Sequence, residues 1–299
     1  MTHNYKNILI VRTDRIGDVV LTTPSIRALR KAFPTARISV LVSPVVVDLL
    51  RKNAYVDKVV VDDRKGCHKG FVGFLKLVLF LRKQKFDLAI IFHTKRRTNL
   101  MCFWAGILKR LGYKNEKFGF LLNHPVFDER HKGEKHEAQY CLDLLKNLGV
   151  KSDGLQLDLP LSGESVEWAD QFIGQMWTNH VQKIIVLHPG ASDPAKCWPV
   201  KHFAELIDSL VKLYGAKIIL VGGSEVREVS EKIITQSNSE IVNLTGKTTV
   251  AQLAVLLAKC DLFVSNDSGP VHIAAALGIN VVSIFTRNQP GINPVSLCP

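Results

Sequence analysis

The stretch Asn7–Pro24, NILIVRTDRIGDVVLTTP, decides the fold of this 299-residue chain. Its first six residues form a nearly continuous apolar run, which is typical of a strand buried on both faces of a parallel sheet. A polar loop containing Gly17 follows, and an apolar helical pattern then carries Thr22-Thr23-Pro24, where proline is tolerated in a first helical turn. Strand, polar loop and helix in this order predict the first step of an α/β fold.

The same alternation of apolar strands and amphipathic helices continues along the chain, with one interruption at Lys151–Pro160. In the first half the predicted strands are Asn7–Arg12, Arg37–Val42, Lys58–Val61 and Asp87–Phe92, and the predicted helices are Val19–Phe33, Phe71–Gln84, Thr98–Leu111 and Glu137–Leu148. After the interruption a helix runs from Glu164 to about Trp177, followed by strands Lys183–His188, Lys217–Val221, Glu240–Asn243, Asp261–Ser265 and Asn280–Phe285 and helices Val200–Tyr214, Glu225–Gln236, Val250–Ala258 and Val271–Leu277. This pattern predicts two Rossmann-like, doubly wound parallel-sheet domains, 1–160 and 161–299, facing each other across a cleft.

The basic residues are unevenly distributed. The formal net charge is +12, and residues 64–135 alone hold 17 Lys and Arg against 5 Asp and Glu. A basic patch confined to one half argues against a uniform polyanion-binding surface. Because the sequence also contains no recognised nucleic-acid-binding motif, we disfavour a nucleic-acid partner.

Bulk features exclude several other classes of protein. No apolar run reaches the roughly 20 residues that a membrane helix needs, and the polar N-terminus gives no sign of a signal peptide. The six cysteines are scattered and form no CxxC pair, so we expect reduced thiols in a cytosolic protein rather than disulfides or a zinc site.

The loop Arg12–Asp18, directly after the first strand, offers two candidate bases. Gly17 suits a turn conformation that other residues avoid, and Asp18 then lies at the start of a helix. Asp14 or Asp18 could act as a general base, or each could merely cap a helix. The spacing alone leaves these two readings open.

Three loops of the second half follow predicted strands and contain small or charged residues. In His188–Pro199 small residues and Lys196 suit an anion, although Lys196 could equally be a solvated lysine. In Val221–Glu225 two glycines precede Glu225, which can accept hydrogen bonds from a ribose, although an ordinary turn capped by Ser224 has the same pattern. In Ser265–His272 the loop opens a small-residue helix whose free amides favour phosphate.

Within that last loop, Asp267 needs a defined partner because an acidic group beside a phosphate site is otherwise unfavourable. His272 falls in the first helical turn and could be a ligand-binding or a purely structural residue.

Together these loops resemble the heptosyltransferases of bacterial lipopolysaccharide synthesis, glycosyltransferase family nine. The motifs that carry the resemblance are Arg12–Pro24, His188-Pro-Gly-Ala with Lys196 and Trp198-Pro199, and Asn266–His272. The resemblance implies the GT-B fold, with the acceptor on the N-terminal domain and a nucleotide sugar on the C-terminal domain. It also implies an inverting transfer of heptose from ADP-heptose to a lipopolysaccharide core acceptor.

The resemblance also assigns roles to individual residues. Asp18 matches the catalytic base. The donor-binding residues are Lys196 at the phosphates, Glu225 near the nucleoside, and Asp267, Ser268, Gly269 and His272 in the late motif. The acceptor-binding residues are Arg12, Thr13, Lys95, Arg96 and Arg97.

We expect no essential metal, since the sequence lacks the Asp-x-Asp motif of metal-dependent sugar transferases, and no cofactor beyond the nucleotide-sugar substrate. Arg64, Lys65 and Lys69 could join the acceptor site or touch anionic lipid headgroups, which would place the protein in the cytoplasm at the inner face of the bacterial inner membrane. Any one of these basic residues could instead belong to a solvated face.

Alternatives remain at this point: another nucleotide sugar, or a catalytically weak, membrane-associated member of the family. Family members usually continue to a final helix, whereas this sequence stops at Pro299, so the C-terminal domain looks shortened.

Overall fold

The computed structural model describes residues 5–176 and 182–286. These residues form two compact units, the first ending at Asp158 and the second beginning at Leu159. Trp177, predicted to end a helix, and the C-terminal residues 287–299 lie outside the described residues.

The first unit contains a six-stranded parallel sheet. Its strands are β1 (Asn7–Val11), β2 (Arg37–Val42), β3 (Lys58–Val61), β4 (Leu88–Ile91), β5 (Lys109–Lys114) and β6 (His124–Phe127). Its helices are α1 (Ile16–Val20), α2 (Thr23–Ala32), α3 (Val47–Leu50), α4 (Gly70–Gln84), α5 (Arg96–Trp104) and α6 (Glu137–Lys146). The strand order is β3-β2-β1-β4-β5-β6, and Ile10 of β1 lies opposite Val40 of β2 and Ile90 of β4. The order reverses between β1 and β4, where ligands of doubly wound sheets bind beyond the carboxyl ends of the strands.

The second unit contains a five-stranded parallel sheet. Its elements are α7 (Gly163–Met176), β7 (Ile184–His188), α8 (Val200–Tyr214), β8 (Lys217–Leu220), α9 (Arg227–Gln236), β9 (Ile241–Asn243), α10 (Val250–Ala258), β10 (Leu262–Asn266), α11 (Gly269–Ala276) and β11 (Val281–Ile284). The strand order is β11-β10-β7-β8-β9, with Leu187 of β7 between Leu220 of β8 and Val264 of β10. The order reverses between β7 and β10. The predicted α/β class with two parallel sheets is therefore confirmed.

Each sheet is buried in its own core. In the first unit Leu9 and Val11 of β1 pack with Leu77 and Leu81 of α4 and with Met101 of α5. In the second unit the core residues come from β7, β8, β10, α8 and α9: Ile185, Leu187, Phe203, Ile207, Leu220, Ile233 and Val264. The continuous apolar strands read from the sequence thus fill the centre of each sheet, because helices cover both of its faces.

The predicted bounds of two helices in the first unit were wrong. The predicted helix Val19–Phe33 is divided into α1 and α2, since Pro24 has no N–H to donate and the Thr22 hydroxyl donates to the Asp18 carbonyl at 2.7 Å. The predicted helix Thr98–Leu111 ends at Trp104, where Gly106 takes a positive φ of 74°.

The residues after that helix form two strands that the sequence analysis did not predict, β5 and β6. β5 begins with the charged residues Lys109 and Arg110, so it lacks the continuous apolar run expected of a buried strand. β6 contains Pro125, which is unfavourable in most strands. Proline is confined to edge strands because it cannot donate to the ladder, and β6 is one of the two edge strands of this sheet.

Candidate active site

The candidate site residues of the first unit surround the buried guanidinium of Arg12, which directly follows β1. Its Nε lies 3.1 Å from Asp14 Oδ1, and its Nη2 lies 3.1 Å from Asp18 Oδ1 and 2.9 Å from Glu137 Oε1. Burial alone would lower the pKa of Arg12, but the neighbouring carboxylates raise it well above its ordinary value. Arg12 is therefore a permanent cation that holds three acidic side chains in fixed positions, which we call the Arg12 cluster.

The two candidate bases differ in their surroundings. The side chain of Asp18 is 31% exposed, whereas that of Asp14 is 17% exposed. Burial raises the pKa of Asp14 to about 6, with the charges of Asp18 and Glu137 acting in the same direction and Arg12 opposing them. Asp14 therefore binds a proton more readily than an ordinary carboxyl group, and Asp18 is the more accessible carboxylate.

Asp18 does not cap a helix. The residue that caps α1 is Arg15, and Asp18 lies inside the first turn, two residues after Ile16. Its carboxylate is engaged by Arg12 instead. The capping alternative for Asp18 is therefore wrong, and the side chain stands beyond the carboxyl end of β1 at the point where the strand order reverses.

Glu137 belongs to this cluster although the sequence analysis did not single it out. It is the first residue of α6, 125 residues beyond Arg12, and its Oε1 also lies 3.8 Å from Arg130 Nη1. An acidic residue in a first helical turn is ordinary, since the helix dipole favours it there. No local pattern in the sequence distinguishes Glu137 from such a residue.

Thr13 lies at the centre of a second network in the same unit. Its Oγ1 is 3.1 Å from His93 Nδ1 and accepts a hydrogen bond of 2.7 Å from Arg64 Nη2. Burial lowers the pKa of His93 to about 3, with the charges of Arg12, Lys95 and Arg64 adding to the effect. His93 is therefore neutral at pH 7 and can share a hydrogen bond with a hydroxyl group.

Asp62 anchors the arginine of this network, Arg64, and also binds Arg97. Its side chain is fully buried and accepts hydrogen bonds from Arg97 Nη2 at 2.7 Å and from Arg64 Nε at 2.9 Å. Burial alone would raise the pKa of Asp62, but the bonds from Arg97 and Arg64 lower it below its ordinary value. Asp62 is another residue that the sequence analysis missed, since an Asp after a strand reads as a turn residue.

The predicted acceptor residues Lys95, Arg96 and Arg97 differ in their availability. Arg97 is committed to Asp62, and its guanidinium lies 4.9 Å from the ring centre of Phe74. Lys95 and Arg96 are exposed at the start of α5, where Arg96 lies 5.6 Å from the ring centre of Phe118. Lys95 and Arg96 can therefore meet a ligand directly, whereas Arg97 holds the loop through Asp62.

In the second unit the loops after β7 and β10 are tied together by hydrogen bonds. The Asn266 side chain donates to the Pro189 carbonyl at 2.7 Å and accepts from the Trp198 backbone N–H at 3.0 Å. Ser268 Oγ lies 3.2 Å from Nδ1 of His188, which is buried. Burial lowers the pKa of His188 to about 4, so the ring is neutral at pH 7.

Lys196 and Asp267 form an ion pair, and each side chain is 12% exposed. Asp267 therefore has the defined partner that its position requires. Lys196 lies in a single 3-10 turn, Pro194–Lys196, that Asp193 caps by accepting from the Ala195 N–H at 3.0 Å. The loop thus presents one ammonium group beside the motif that opens α11.

Gly269 is the first residue of α11, and Ser268 precedes it as the capping residue without a side-chain hydrogen bond to the helix. His272 is buried in the first turn of this helix. The predicted donor residues Lys196, Asp267, Ser268, Gly269 and His272 are thus brought together beyond the carboxyl ends of β7 and β10. A helix start with an adjacent lysine can bind a phosphate group.

Glu225 lies in the loop after β8 and is exposed. A Cβ on Gly223 would approach Glu225 Oε2 to 2.2 Å, so the carboxylate folds back over the glycine. Gly222 has a φ of 145°, which a side chain would strain. Ser224 caps neither the short 3-10 turn Ser224–Val226 nor α9, whose capping residues are Gly223 and Val226.

Among residues 5–176 and 182–286, no helix has the length and apolar character needed to cross a membrane. In the same part of the chain, no group of three or more His, Cys, Asp or Glu side chains is arranged to hold a metal ion. The five cysteines there, Cys67, Cys102, Cys141, Cys197 and Cys260, are free thiols.

The protein has two parallel α/β units. The first holds a carboxylate beyond the end of a strand, and the second has loops suited to binding a phosphate group. The family model described as "Glycosyltransferase family 9 (heptosyltransferase)" matches residues 74–296. The chain therefore belongs to glycosyltransferase family 9 and is a glycosyltransferase.

Similar proteins agree with this assignment. The chain is 28% identical to "Lipopolysaccharide heptosyltransferase 2" of Escherichia coli over 96% of its own length and 84% of that protein. The crystal structure of a family 9 glycosyl transferase from Veillonella parvula is 26% identical, with a TM-score of 0.89 over 100% of this chain and 86% of that one. The E. coli "ADP-heptose lps heptosyltransferase II" structure is 25% identical, with a TM-score of 0.79 over 97% and 87%.

Proposed function

We propose that this glycosyltransferase transfers a heptose from ADP-heptose to a lipopolysaccharide core acceptor, with inversion and without an essential metal. The observation that carries the proposal is the accessible carboxylate of Asp18, held 3.1 Å from the buried Arg12 at the point where the strand order reverses. The E. coli relatives named "Lipopolysaccharide heptosyltransferase 2" and "ADP-heptose lps heptosyltransferase II" support the choice of donor and acceptor.

Asp18 is the proposed general base. An inverting transfer needs a carboxylate that removes the proton of the acceptor hydroxyl as its oxygen attacks the anomeric carbon. The contact with Arg12 fixes the direction of the Asp18 side chain, and its 31% exposure leaves the carboxylate accessible to an incoming hydroxyl. Asp14 is the less suited candidate because its side chain is more buried, which limits the approach of an acceptor hydroxyl.

Lys196 is proposed to bind the diphosphate of the donor. The bond that breaks leaves negative charge on ADP, and a lysine with the free amides at the start of α11 stabilises that charge. Lys196 is paired with Asp267, so the phosphate oxygens of the donor are proposed to replace this carboxylate or to share the ammonium group with it. Ser268, Gly269 and His272 shape the same loop, and Glu225 is proposed to accept from the ribose hydroxyls.

The first unit is proposed to bind the anionic acceptor. Lys95 and Arg96 are exposed and cationic, and Thr13 offers a hydroxyl that Arg64 and His93 orient. Arg12 and Arg97 act through the carboxylates that they hold. An acceptor of this kind is part of a membrane lipid, so we also propose that the protein works in the cytoplasm at the inner face of the bacterial inner membrane.

The test is a transfer assay with ADP-heptose and a lipopolysaccharide core acceptor in excess EDTA. We expect ADP release and a glycosylated product, both unchanged by the chelator. Loss of the product that added Mg²⁺ restores would contradict metal independence. Product formation from UDP-, GDP- or CMP-sugars but not from ADP-heptose would contradict the donor assignment.

A further inference from the structure

Helix α4 has a second apolar face, which points away from the core. Its inner face buries Phe74, Leu77 and Leu81 against the sheet. On the opposite face Val72 is 67% and Leu79 is 57% exposed, and Leu75, lying between them, is half-buried. These residues stand three and four positions apart, so they form one stripe along the helix. Such a stripe facing water requires an explanation, since a surface helix is normally polar on its outer side.

The apolar surface extends beyond this stripe. Phe71, in the first turn of α4, is 66% exposed, and Phe103 and Trp104 at the end of the neighbouring α5 are 45% and 40% exposed. The ring of Trp104 lies 5.7 Å from that of Phe74, so the end of α5 packs directly against α4. We call this region the α4 surface, defined by Phe71, Val72, Leu75, Leu79, Phe103 and Trp104.

The charged residues of α4 have one sign. Lys76, Arg82 and Lys83 of α4 are exposed, and the helix contains no acidic residue. Between Arg64 and Asn115 the only acidic residue is Asp87. The Asp87 carboxylate accepts from the backbone N–H groups of Lys6 and Asn7 at 2.7 and 3.1 Å. Helix α4 therefore combines exposed apolar residues with positive charges that no acidic residue of the helix balances.

We propose that the α4 surface docks on an anionic lipid bilayer, with its apolar residues in the headgroup–acyl boundary and its lysines at the lipid phosphates. Helices that lie in a membrane interface combine an apolar face with flanking Lys and Arg in this way. The inference rests on the proposed function to the extent that a lipid-borne acceptor gives the docking its purpose.

A second copy of the chain is a poorer occupant of this surface. A symmetric dimer places the same patch of each copy against the other. The positive side chains of both copies would then meet with no acidic partner on α4. A bilayer supplies the missing negative charge together with an apolar medium, so charge complementarity selects the membrane.

The α4 surface is also connected to the acceptor residues. The loop between β3 and α4 carries Arg64, which donates to Thr13, and Lys65 and Lys69, which are exposed. Helix α4 begins at Gly70, directly after this loop. A helix anchored at the lipid surface therefore holds the loop that contacts the proposed acceptor site beside the same surface.

The experiment measures binding of the full chain to phosphatidylcholine vesicles with and without phosphatidylglycerol. We expect binding that requires phosphatidylglycerol and weakens steeply with salt. The Val72→Ser/Leu79→Ser variant tests the apolar centre, and Lys76→Glu/Lys83→Glu tests the charge. Each pair is expected to weaken binding roughly 10-fold or more.

The matched controls lie on α8 of the second unit. Leu213 and Tyr214 are 70% and 66% exposed, so Leu213→Ser/Tyr214→Ser removes equally exposed apolar side chains. Lys201→Glu/Lys212→Glu makes the same change of charge as the lysine variant. Both controls should bind vesicles as the unmodified chain does. The fluorescence of Trp104 should shift to the blue on binding, a shift that Trp104→Phe removes.

Three results would overturn the proposal: vesicle binding that survives both α4 variants, equal losses in the α8 controls, or a dimer that these variants dissociate while vesicles bind neither form. The docking and the transfer activity are separable. Activity on a soluble acceptor fragment should be the same in the α4 variants and the unmodified chain. A chain that binds vesicles but never forms product would refute the proposed function and leave the docking intact.

Discussion

Replacing Asp14 by Asn should stabilise the protein above pH 6 and leave it nearly unchanged at pH 4. Burial raises the pKa of Asp14 from an ordinary value of 3.8 to about 6 in the folded chain. Between these two pH values the folded state holds a proton that the unfolded state has released. The free energy of unfolding therefore falls as pH rises through this window and is level above it. Each pKa unit corresponds to about 1.4 kcal/mol, so the ionised carboxylate costs about 3 kcal/mol at pH 8.

Asparagine has the size of the neutral carboxyl group and cannot ionise, so it avoids that cost. Urea unfolding of both proteins at pH 4, 5, 6 and 8 measures the difference, which we expect to grow to about 1–3 kcal/mol in favour of the variant at pH 8. Asp128→Asn is the matched control. Burial alone would raise the pKa of Asp128, but hydrogen bonds from Arg130 lower it below its ordinary value. Loss of the ionised Asp128 carboxylate should therefore destabilise the protein at pH 8.

A difference in stability between Asp14→Asn and the unmodified chain that does not change with pH would show that ionisation of Asp14 does not destabilise the protein. A variant less stable at pH 8 would contradict the prediction as well, because the attraction between Arg12 and an ionised Asp14 would then exceed the cost of burying the carboxylate.

Three further predictions concern the site. Glu137→Gln should lower kcat roughly tenfold and leave the KM for the donor unchanged, because Arg12 then holds Asp18 less firmly; an unchanged kcat in steady-state assays would contradict this. Lys196→Met should weaken ADP binding by at least about tenfold in calorimetry, and adding Asp267→Asn should recover stability but not affinity; recovered affinity would remove Lys196 from the donor site. Gly223→Ala should weaken donor binding with a melting temperature unchanged, since its Cβ displaces the flexible carboxylate of Glu225; a lowered melting temperature would show that the glycine serves the fold instead.

The sequence predicted the strands of both sheets except β5 and β6, at one side of the first sheet. The strands at the centre of each sheet are long apolar runs such as Asn7–Val11, and that pattern has few other interpretations. β5 and β6 were missed because Lys109, Arg110 and Pro125 interrupt such a pattern at one side of the sheet. β6 is an edge strand and β5 is its only neighbour, so this side of the sheet lacks the long apolar runs of the central strands.

The site was predicted where its residues share a loop and missed where they are distant in the sequence. Asp18 follows Arg12 by six positions, and Lys196 lies in a loop rich in small residues after β7. Glu137 takes part only because the fold brings it to Arg12, and Asp62 because the fold brings it to Arg97, 35 residues further along the chain. Pairing of this kind depends on the tertiary structure, and no local spacing records it.

The availability of the basic residues also required the structure. Lys95, Arg96 and Arg97 are adjacent in the sequence and look equivalent, yet Arg97 is bound to the buried Asp62 while the other two are exposed. Arg64 likewise points to Thr13 and Asp62 rather than to solvent alone. A run of like charges therefore contains both ligand-binding candidates and structural residues. The exposure of each side chain and its ion-pair partner distinguish the two kinds.

The role of Asp18 as the base of a heptosyl transfer can be measured through ADP release with ADP-heptose and a lipopolysaccharide core acceptor. We expect Asp18→Asn to slow release by a factor of about 10² to 10⁴ while ADP still binds with unchanged affinity. Asp14→Asn, the neighbouring carboxylate on the same arginine, should retain most of the activity. Near-normal turnover in Asp18→Asn, or an equal loss in both variants, would contradict the claim.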